Sequence, residues 1–367
     1  MSAWYQLENV ADVPSPSLLI YPDRIEANIQ RMLELVNGNA VRLRPHVKTH
    51  KMAEIIKMQL AAGITKFKCA TIAEMEMTAT AGAEDVLLAF QPVGPNIDRL
   101  RQLQEKFPET KISAVVDDEG ILKQISDANF GARLFVDVDC GMHRSGISVE
   151  DTFALCQAID TAAGVEFIGL HVYDGHNHAP DPGEREGQFD GAIDPVRQLL
   201  ERLDAEGPQQ QENVGGGSPT FGFHASKAPW SCSPGTTLLW DAGYGTKFGD
   251  LGFKQAAVLL SRVISKPGPD HVCTDLGHKA VAGENPIENR VRFFDLSEDA
   301  KPVMQSEEHL VYQMADRSSV AVGQELYGLP WHICPTVALH EEAIICRDGR
   351  ATDERWSIAS RKRKITI

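Results

Sequence analysis

Eight short β-rich runs alternate with helix-patterned stretches between residues 18 and 214, and this alternation leaves the chain very few architectures. The runs cover 18–21, 42–47, 67–70, 86–89, 112–116, 133–138 and 167–172, with a last short one ending at Val214. Ile25, Ile29, Leu33 and Val36 fall on one helical stripe, as do Ile97, Leu100 and Leu103 in the fourth crossover. Asp23 stands where an N-cap belongs. Eight βα repeats make either a (βα)8 TIM-type barrel or a large doubly wound sheet. The polar residues decide between them. His46 and Lys48 follow the second run, His143 and Arg144 the sixth, Tyr173, His176 and His178 the seventh, and Gly215 to Ser218 the eighth. Groups drawn from many strand ends converge on one face in a closed barrel, whereas an open sheet gathers them at one switch point.

Beyond residue 237 the pattern changes to short alternating apolar segments, such as 237–241, 256–264 and 342–346, which predicts a second, mainly β domain. The expected division is a barrel over 18–236 and a β domain over 237–367, joined by 1–17. The boundary is soft, because the turn Ser233-Pro234-Gly235 can belong to either side. The basic run Arg361 to Lys364 reads as a solvated, charged edge strand.

Composition narrows the function classes. With 36 basic against 51 acidic residues, the net charge of -15 repels a phosphate backbone, so nucleic acid is not an expected partner. The first 21 residues lack a basic and apolar leader, and no stretch of 18 apolar residues occurs, so neither secretion nor membrane spanning is expected. Cysteines 69, 140, 156, 232, 273, 334 and 346 are scattered without CxxC spacing, which suits a reducing cytoplasm.

Four segments carry candidate chemistry. Gly215-Gly216-Gly217-Ser218-Pro219-Thr220 offers successive backbone N–H groups with little side-chain bulk, as close approach to phosphate requires; alone it also reads as a flexible turn. Lys48, delivered by a strand into a barrel mouth, is a candidate Schiff-base lysine; Lys68, in Phe67-Lys68-Cys69, is its rival, and Lys51 reads as a surface lysine on the next helix. Arg144 is either aimed into the site or paired with Asp137 or Asp139 to hold its turn; its guanidinium donates hydrogen bonds but gives up no proton. In an extended segment, His332 and Cys334 at i and i+2 project to the same side, where they either share a metal, for which zinc is the favoured N/S occupant, or are a buried Cys and a loop His that stand together by chance. His171, His271 and His340 read as structural.

Taken in order, Arg44-Pro45-His46-Val47-Lys48-Thr49-His50-Lys51, Gly141-Met142-His143-Arg144-Ser145-Gly146, Tyr173-Asp174-Gly175-His176, the glycine loop, Ser233-Pro234-Gly235-Thr236, Asp241 with Tyr244, Ser306-Glu307-Glu308-His309 and His332-Ile333-Cys334-Pro335-Thr336 form one pattern. Over nearly the whole chain it resembles the D-threonine aldolase and D-serine dehydratase group of fold-type III pyridoxal-phosphate enzymes, relatives of alanine racemase. The resemblance implies pyridoxal 5'-phosphate bound covalently to Lys48, with Arg144 facing the pyridine nitrogen and Tyr173, Gly216, Gly217, Ser218 and Tyr244 holding the phosphate. It implies a zinc or manganese ion on His332 and Cys334, and a homodimer acting on a small amino-acid substrate. Two positions depart from the pattern. Ser231 stands where relatives commonly carry Glu, and Cys334 matches the dehydratases where aldolases typically place Asp.

The expected activity is metal-activated cleavage of 3-hydroxy-D-amino acids. With His309 or His176 as base at the β-hydroxyl, retro-aldol cleavage gives glycine and an aldehyde. If Lys48 instead removes the α-proton and hydroxide departs, dehydration of a D-serine or D-3-hydroxyaspartate type of substrate gives a keto acid and ammonia. An amino-acid racemase, a non-catalytic carrier of pyridoxal phosphate, and a metal-dependent barrel hydrolase without the cofactor are the other readings.

Overall fold

Buried apolar runs too short for core helices form the parallel strands of one unit of the fold. The computed structural model describes residues 3–367, and these divide into two units. The barrel unit contains residues 29–48, 53–235 and 362–367; the β-rich unit contains those up to 28, 49–52 and 236–361. No helix among the described residues is long and apolar enough to cross a membrane.

In the barrel unit, parallel pairings join Lys66–Cys69, Asp85–Leu88, Lys111–Val116, Ala132–Asp139, Val165–Val172, Val214–Gly215 and Ser231–Cys232 in that order. Parallel bridges from Leu43 to Cys232 and from His46 to Lys68 place segment 43–46 between the last strand and the first. The circuit closes there: Arg44 N–H donates to Cys232 O at 2.9 Å, and Lys68 N–H donates to Pro45 O at 2.9 Å. Helices on the connections are capped by short polar side chains, Thr71 for Ile72–Thr80, Asp118 for Glu119–Ala128, Ser148 for Val149–Thr161 and Asp181 for Pro182–Glu206. This is a parallel barrel sheet with helices on its connections, accompanied by a mainly β C-terminal part.

Strand alternation fixes what faces inward. Lys68 stands opposite Leu87, Val115 opposite Phe135, and Asp137 opposite His171, which is itself opposite Val214. Leu87, Val115, Phe135, Ile168 and Val214 make one buried cluster. Each such side chain contributes about 1.5–3 kcal/mol when fully removed from water. Where the register shifts beside Phe135, Gly169 takes φ 156°, and a Cβ there would lie 1.9 Å from the Glu212 carbonyl oxygen.

The β-rich unit holds a strand that sequence reading places in the barrel. Segment 18–21, expected as the first barrel strand, is Ser17–Ile20, antiparallel to Ala257–Ser265 and parallel to Glu342–Arg347. It supplies Leu19 to a core with Val258, Leu260, Tyr327, Leu329 and Ile344. A four-residue apolar run buried on both faces carries no mark of which sheet takes it. Its barrel place belongs to Ser231–Cys232, so the glycine loop follows the seventh barrel strand, not the eighth, and Arg144 and Tyr173 follow the fifth and sixth.

Smaller corrections follow from local geometry. The first helix is Pro22–Leu35, so Asp23 lies in its first turn and does not cap it. Lys51 has φ 57° and precedes the helix that begins at Ala53. Residues 237–241 form no strand; a 3-10 turn covers Thr236–Leu238. Arg361 closes another such turn, and exposed residues 362–364 extend no sheet.

Candidate active site

The ring of Tyr173 is the centre of the barrel-unit site. Lys68 Nζ lies 5.5 Å from its centroid, Lys48 Nζ 5.9 Å, and Arg144 Cζ 4.8 Å, all within cation–π range. These side chains arrive on different elements: Lys48 just after segment 43–46, Lys68 on Lys66–Cys69, Arg144 on the turn after Ala132–Asp139, and Tyr173 at the end of Val165–Val172. They line one cleft of about 500 Å³, together with His46, Asp137 and His171. His46 N–H donates to Pro234 O at 2.8 Å, and its Nδ1 accepts from Lys48 N–H at 3.3 Å, which sets where Lys48 leaves the backbone.

Three basic groups around one aromatic ring favour an anionic, planar guest. The glycine loop abuts the same ring. A Cβ on Gly217 would lie 3.0 Å from Tyr173 Cε2, and one on Gly216, at φ 82°, would lie 2.4 Å from His224 Cδ2. A side chain at 216 does not fit, and one at 217 would press on the Tyr173 ring, so small residues keep this stretch of backbone open, as a phosphate cradle needs. Behind the loop, Asp174 is fully buried; it accepts from Thr220 Oγ1 at 2.9 Å and faces His224 Nε2 at 3.2 Å. Burial alone would raise its pKa, but His224 and Thr220 hold it below the ordinary carboxylate value. Ser218 Oγ accepts from Gly235 N–H at 3.1 Å, fastening the loop to the eighth strand's end.

The turn around Arg144 is held without it. Asp139 faces His143 Nδ1 at 2.8 Å and accepts from the N–H groups of Gly141 and His143, while Asp137 is engaged by His171 and Ser145. Arg144 instead lies exposed over Tyr173. His176 does not line the cleft; it is half-buried, and its Nε2 sits 3.2 Å from where a Gly141 Cβ would be.

In the β-rich unit, Asp241 is the organising residue. Its carboxylate accepts from Tyr244 N–H at 2.8 Å and from Ile333 N–H at 2.9 Å, tying the helices Ala242–Lys247 and Ile333–Val337 together. Burial, against these bonds, pushes its pKa up to about 6. His332 and Cys334 are not on an extended segment as expected, because Ile333–Val337 is helical with His332 at its N-cap. Their side chains meet nonetheless. Burial, which would lower the His332 pKa, is outweighed by the Cys334 sulfur and then by Glu284, so the value rises to about 9. Glu284 Oε1 is 2.7 Å from His332 Nδ1, an orientation that directs Nε2 away from the carboxylate. Cys334 Sγ lies 3.1 Å from Thr49 Oγ1. No group of three or more His, Cys, Asp or Glu side chains suited to a metal is found among the described residues, so a bound ion on this N/S pair would keep positions open for water or substrate. His309 is exposed and uses its carbonyl to accept from Ser306 N–H.

Residues 20–241 match the alanine racemase, N-terminal domain family, and residues 256–346 match a serine dehydratase domain. The chain is 30% identical to the D-threonine aldolase of an Arthrobacter species over 361 residues, covering 96% of this chain and 94% of that one. It belongs to the alanine racemase-like family, in its D-threonine aldolase and D-serine dehydratase group. Another relative, 27% identical over 96% of this chain and 93% of its own, is the 3-hydroxy-D-aspartate aldolase of Paracoccus denitrificans. Among solved structures, the D-threonine aldolase of Filomicrobium marinum superposes with a TM-score of 0.88 at 27% identity, covering 98% of this chain and 99% of that one. Three residues that sequence reading gave no role in the site stand at it: Asp137 and His171, which line the cleft, and Asp174, which braces the glycine loop. Parallel-strand partners i and j give the signal for the first two, since an Asp and a His at one register position are inward together.

Proposed function

We infer that this pyridoxal-phosphate-dependent lyase cleaves 3-hydroxy-D-amino acids between Cα and Cβ, giving glycine and an aldehyde, as its likeness to a D-threonine aldolase along nearly its full length suggests. The observation that carries the reading is the trio of cationic side chains around Tyr173, set against a glycine loop that packs on the same ring and has no room for a side chain at 216. That arrangement suits a flat ring bearing a phosphate. Lys48 holds the cofactor, Arg144 lies toward the ring, and Gly216, Gly217 and Ser218 hold the phosphate. Bound pyridoxal phosphate supplies an electron sink for the carbanion left at Cα. Arg144 remains protonated throughout, so it steers charge without exchanging a proton. His332 and Cys334 are the ligands for a divalent ion, zinc or manganese, which supplies Lewis acidity toward a hydroxyl. His176 and His309 stand as the bases proposed for that hydroxyl.

A second reading, dehydration to a keto acid and ammonia, is favoured by one observation: the second ligand of the metal pair is the sulfur of Cys334. Product analysis with D-threonine and D-serine, in the presence of pyridoxal phosphate and a divalent metal, separates the two. Glycine with acetaldehyde establishes the aldolase; a keto acid with ammonia and no glycine replaces it with the dehydratase.

A further inference from the structure

Two amines, not one, face the cleft. Lys48 accounts for covalent attachment of the cofactor, yet Lys68, on the strand bridged to His46, is 1% exposed, lines the same cleft and has no role in that attachment. Its Nζ lies 3.3 Å from His171 Nε2, and His171 Nδ1 lies 2.7 Å from Asp137 Oδ1, whose other oxygen accepts from Ser145 Oγ at 3.1 Å. All three members are buried.

The direction of each hydrogen bond follows from charge. The Asp137 pKa, which burial alone would raise, is held below the ordinary value chiefly by His171, so Asp137 is ionised and takes the proton of His171 Nδ1. His171 itself is pushed down by burial and by Lys68, so it is neutral and Nε2 is left as an acceptor. Lys68 therefore donates one N–H to His171. The side chain that carries this amine also lines the cleft.

We propose that Lys68 is a second working amine of this site: anchored by His171 and Asp137, it takes up a proton at Nζ from a group bound beside Tyr173 and later returns it. The step moves one proton onto the Nζ lone pair and leaves an ammonium still bonded to His171, with no change in electron count. His171 and Asp137 are positioning residues. The charged and titratable groups that act on Lys68 are Lys48, Arg144, Asp137, Asp174 and His171, with Asp117, Asp139 and His46 also lining the cleft. Burial first, and then the charge of Lys48, lower the Lys68 pKa to about 7, where an amine exchanges protons readily near neutral pH.

The proposal rests on the cofactor reading for the identity of the bound group, and two measurements keep the two claims apart. Competitive acetylation of the full-length, cofactor-free protein, read by mass spectrometry across pH, gives the Lys68 titration directly. The expected midpoint is near 7, moving up in Lys48→Ala and down in Asp137→Asn. A midpoint near the ordinary 10.5, or one unmoved by both substitutions, overturns the proposal. In the holoprotein, the visible absorbance of bound pyridoxal phosphate should change with pH around the same midpoint, and the change should be lost in Lys68→Met and in Lys68→Arg. An identical transition in either folded variant also overturns it. A wild-type protein that never takes colour refutes the cofactor reading, while the acetylation midpoint still decides Lys68.

Discussion

Tyr173 shows how one residue organises a site through what surrounds it. Its ring touches the position a Gly217 side chain would need and carries Lys48, Lys68 and Arg144 over it. At this scale the test is the lysine. Lys48→Ala mixed with pyridoxal phosphate should lack the visible band that the wild type develops, and lyase turnover should fall by about 10²-fold or more. Absorbance spectra with borohydride trapping check this; a variant that stays yellow, with the reduced adduct on Lys68, contradicts the assignment. Lys48, Arg144 and Tyr173 were legible in sequence because each follows a strand and stands among turn residues. His171 was not, since it sits inside the buried run Val165–Val172, where a lone histidine reads as core; its partner Asp137 lies on another strand, and only register joins them.

At the scale of elements, seven of the eight barrel strands were recognisable and one exchange was not. Ser17–Ile20 has a strand's composition but a place in the β-rich unit, whereas Ser231–Cys232 has two residues and no period to read. Segment 43–46, which closes the barrel, depends on an ion cluster at its side: Arg44, 0% exposed, donates to Asp85 at 2.7 Å and to Glu212 at 2.7 Å. Arg44→Met takes the Arg44 cation from Asp85 and leaves Glu212 to Lys66, 3.2 Å away, and should destabilise the protein by about 3–5 kcal/mol in urea unfolding; a loss below ~1 kcal/mol contradicts the role. The same cluster sets an acid limit. Burial raises the Glu212 pKa, but Arg44 and Ser231 bring it down from 4.5 to about 2. A folded value below the unfolded one means that the stabilisation is fully present above pH 4.5 and is lost as pH falls toward 2. Thermal melts over that interval should be flatter for Glu212→Gln than for the wild type, and parallel curves would refute the linkage. On the helix Ile333–Val337, His332→Ala should keep the visible band yet lose about 10²-fold in turnover. Full activity after that change removes the metal pair from the chemistry.

At the scale of the whole molecule, one unit is a barrel whose cleft gathers Lys48, Lys68 and Arg144 around Tyr173, the other is β-rich and gathers His332, Cys334 and Asp241, and relatives matched over nearly their full length are named D-threonine aldolase and 3-hydroxy-D-aspartate aldolase. The chain carries a net charge of -15, and the cleft lining sets Lys48, Lys68 and Arg144 against Asp117, Asp137 and Asp139, so the cations are gathered at the Tyr173 ring and not over the lining as a whole. The ordered motifs made the family legible over the full chain, but the choice between breaking Cα–Cβ and expelling hydroxide was not, because both readings call on the same lysine, loop and ligand pair. The most direct test is glycine release by the purified protein, loaded with pyridoxal phosphate and a divalent metal, from D-threonine and L-threonine in parallel. Release with acetaldehyde from the D form and not from the L form is the predicted result. No glycine from either form in a fully coloured protein, or equal release without the cofactor, would contradict the account.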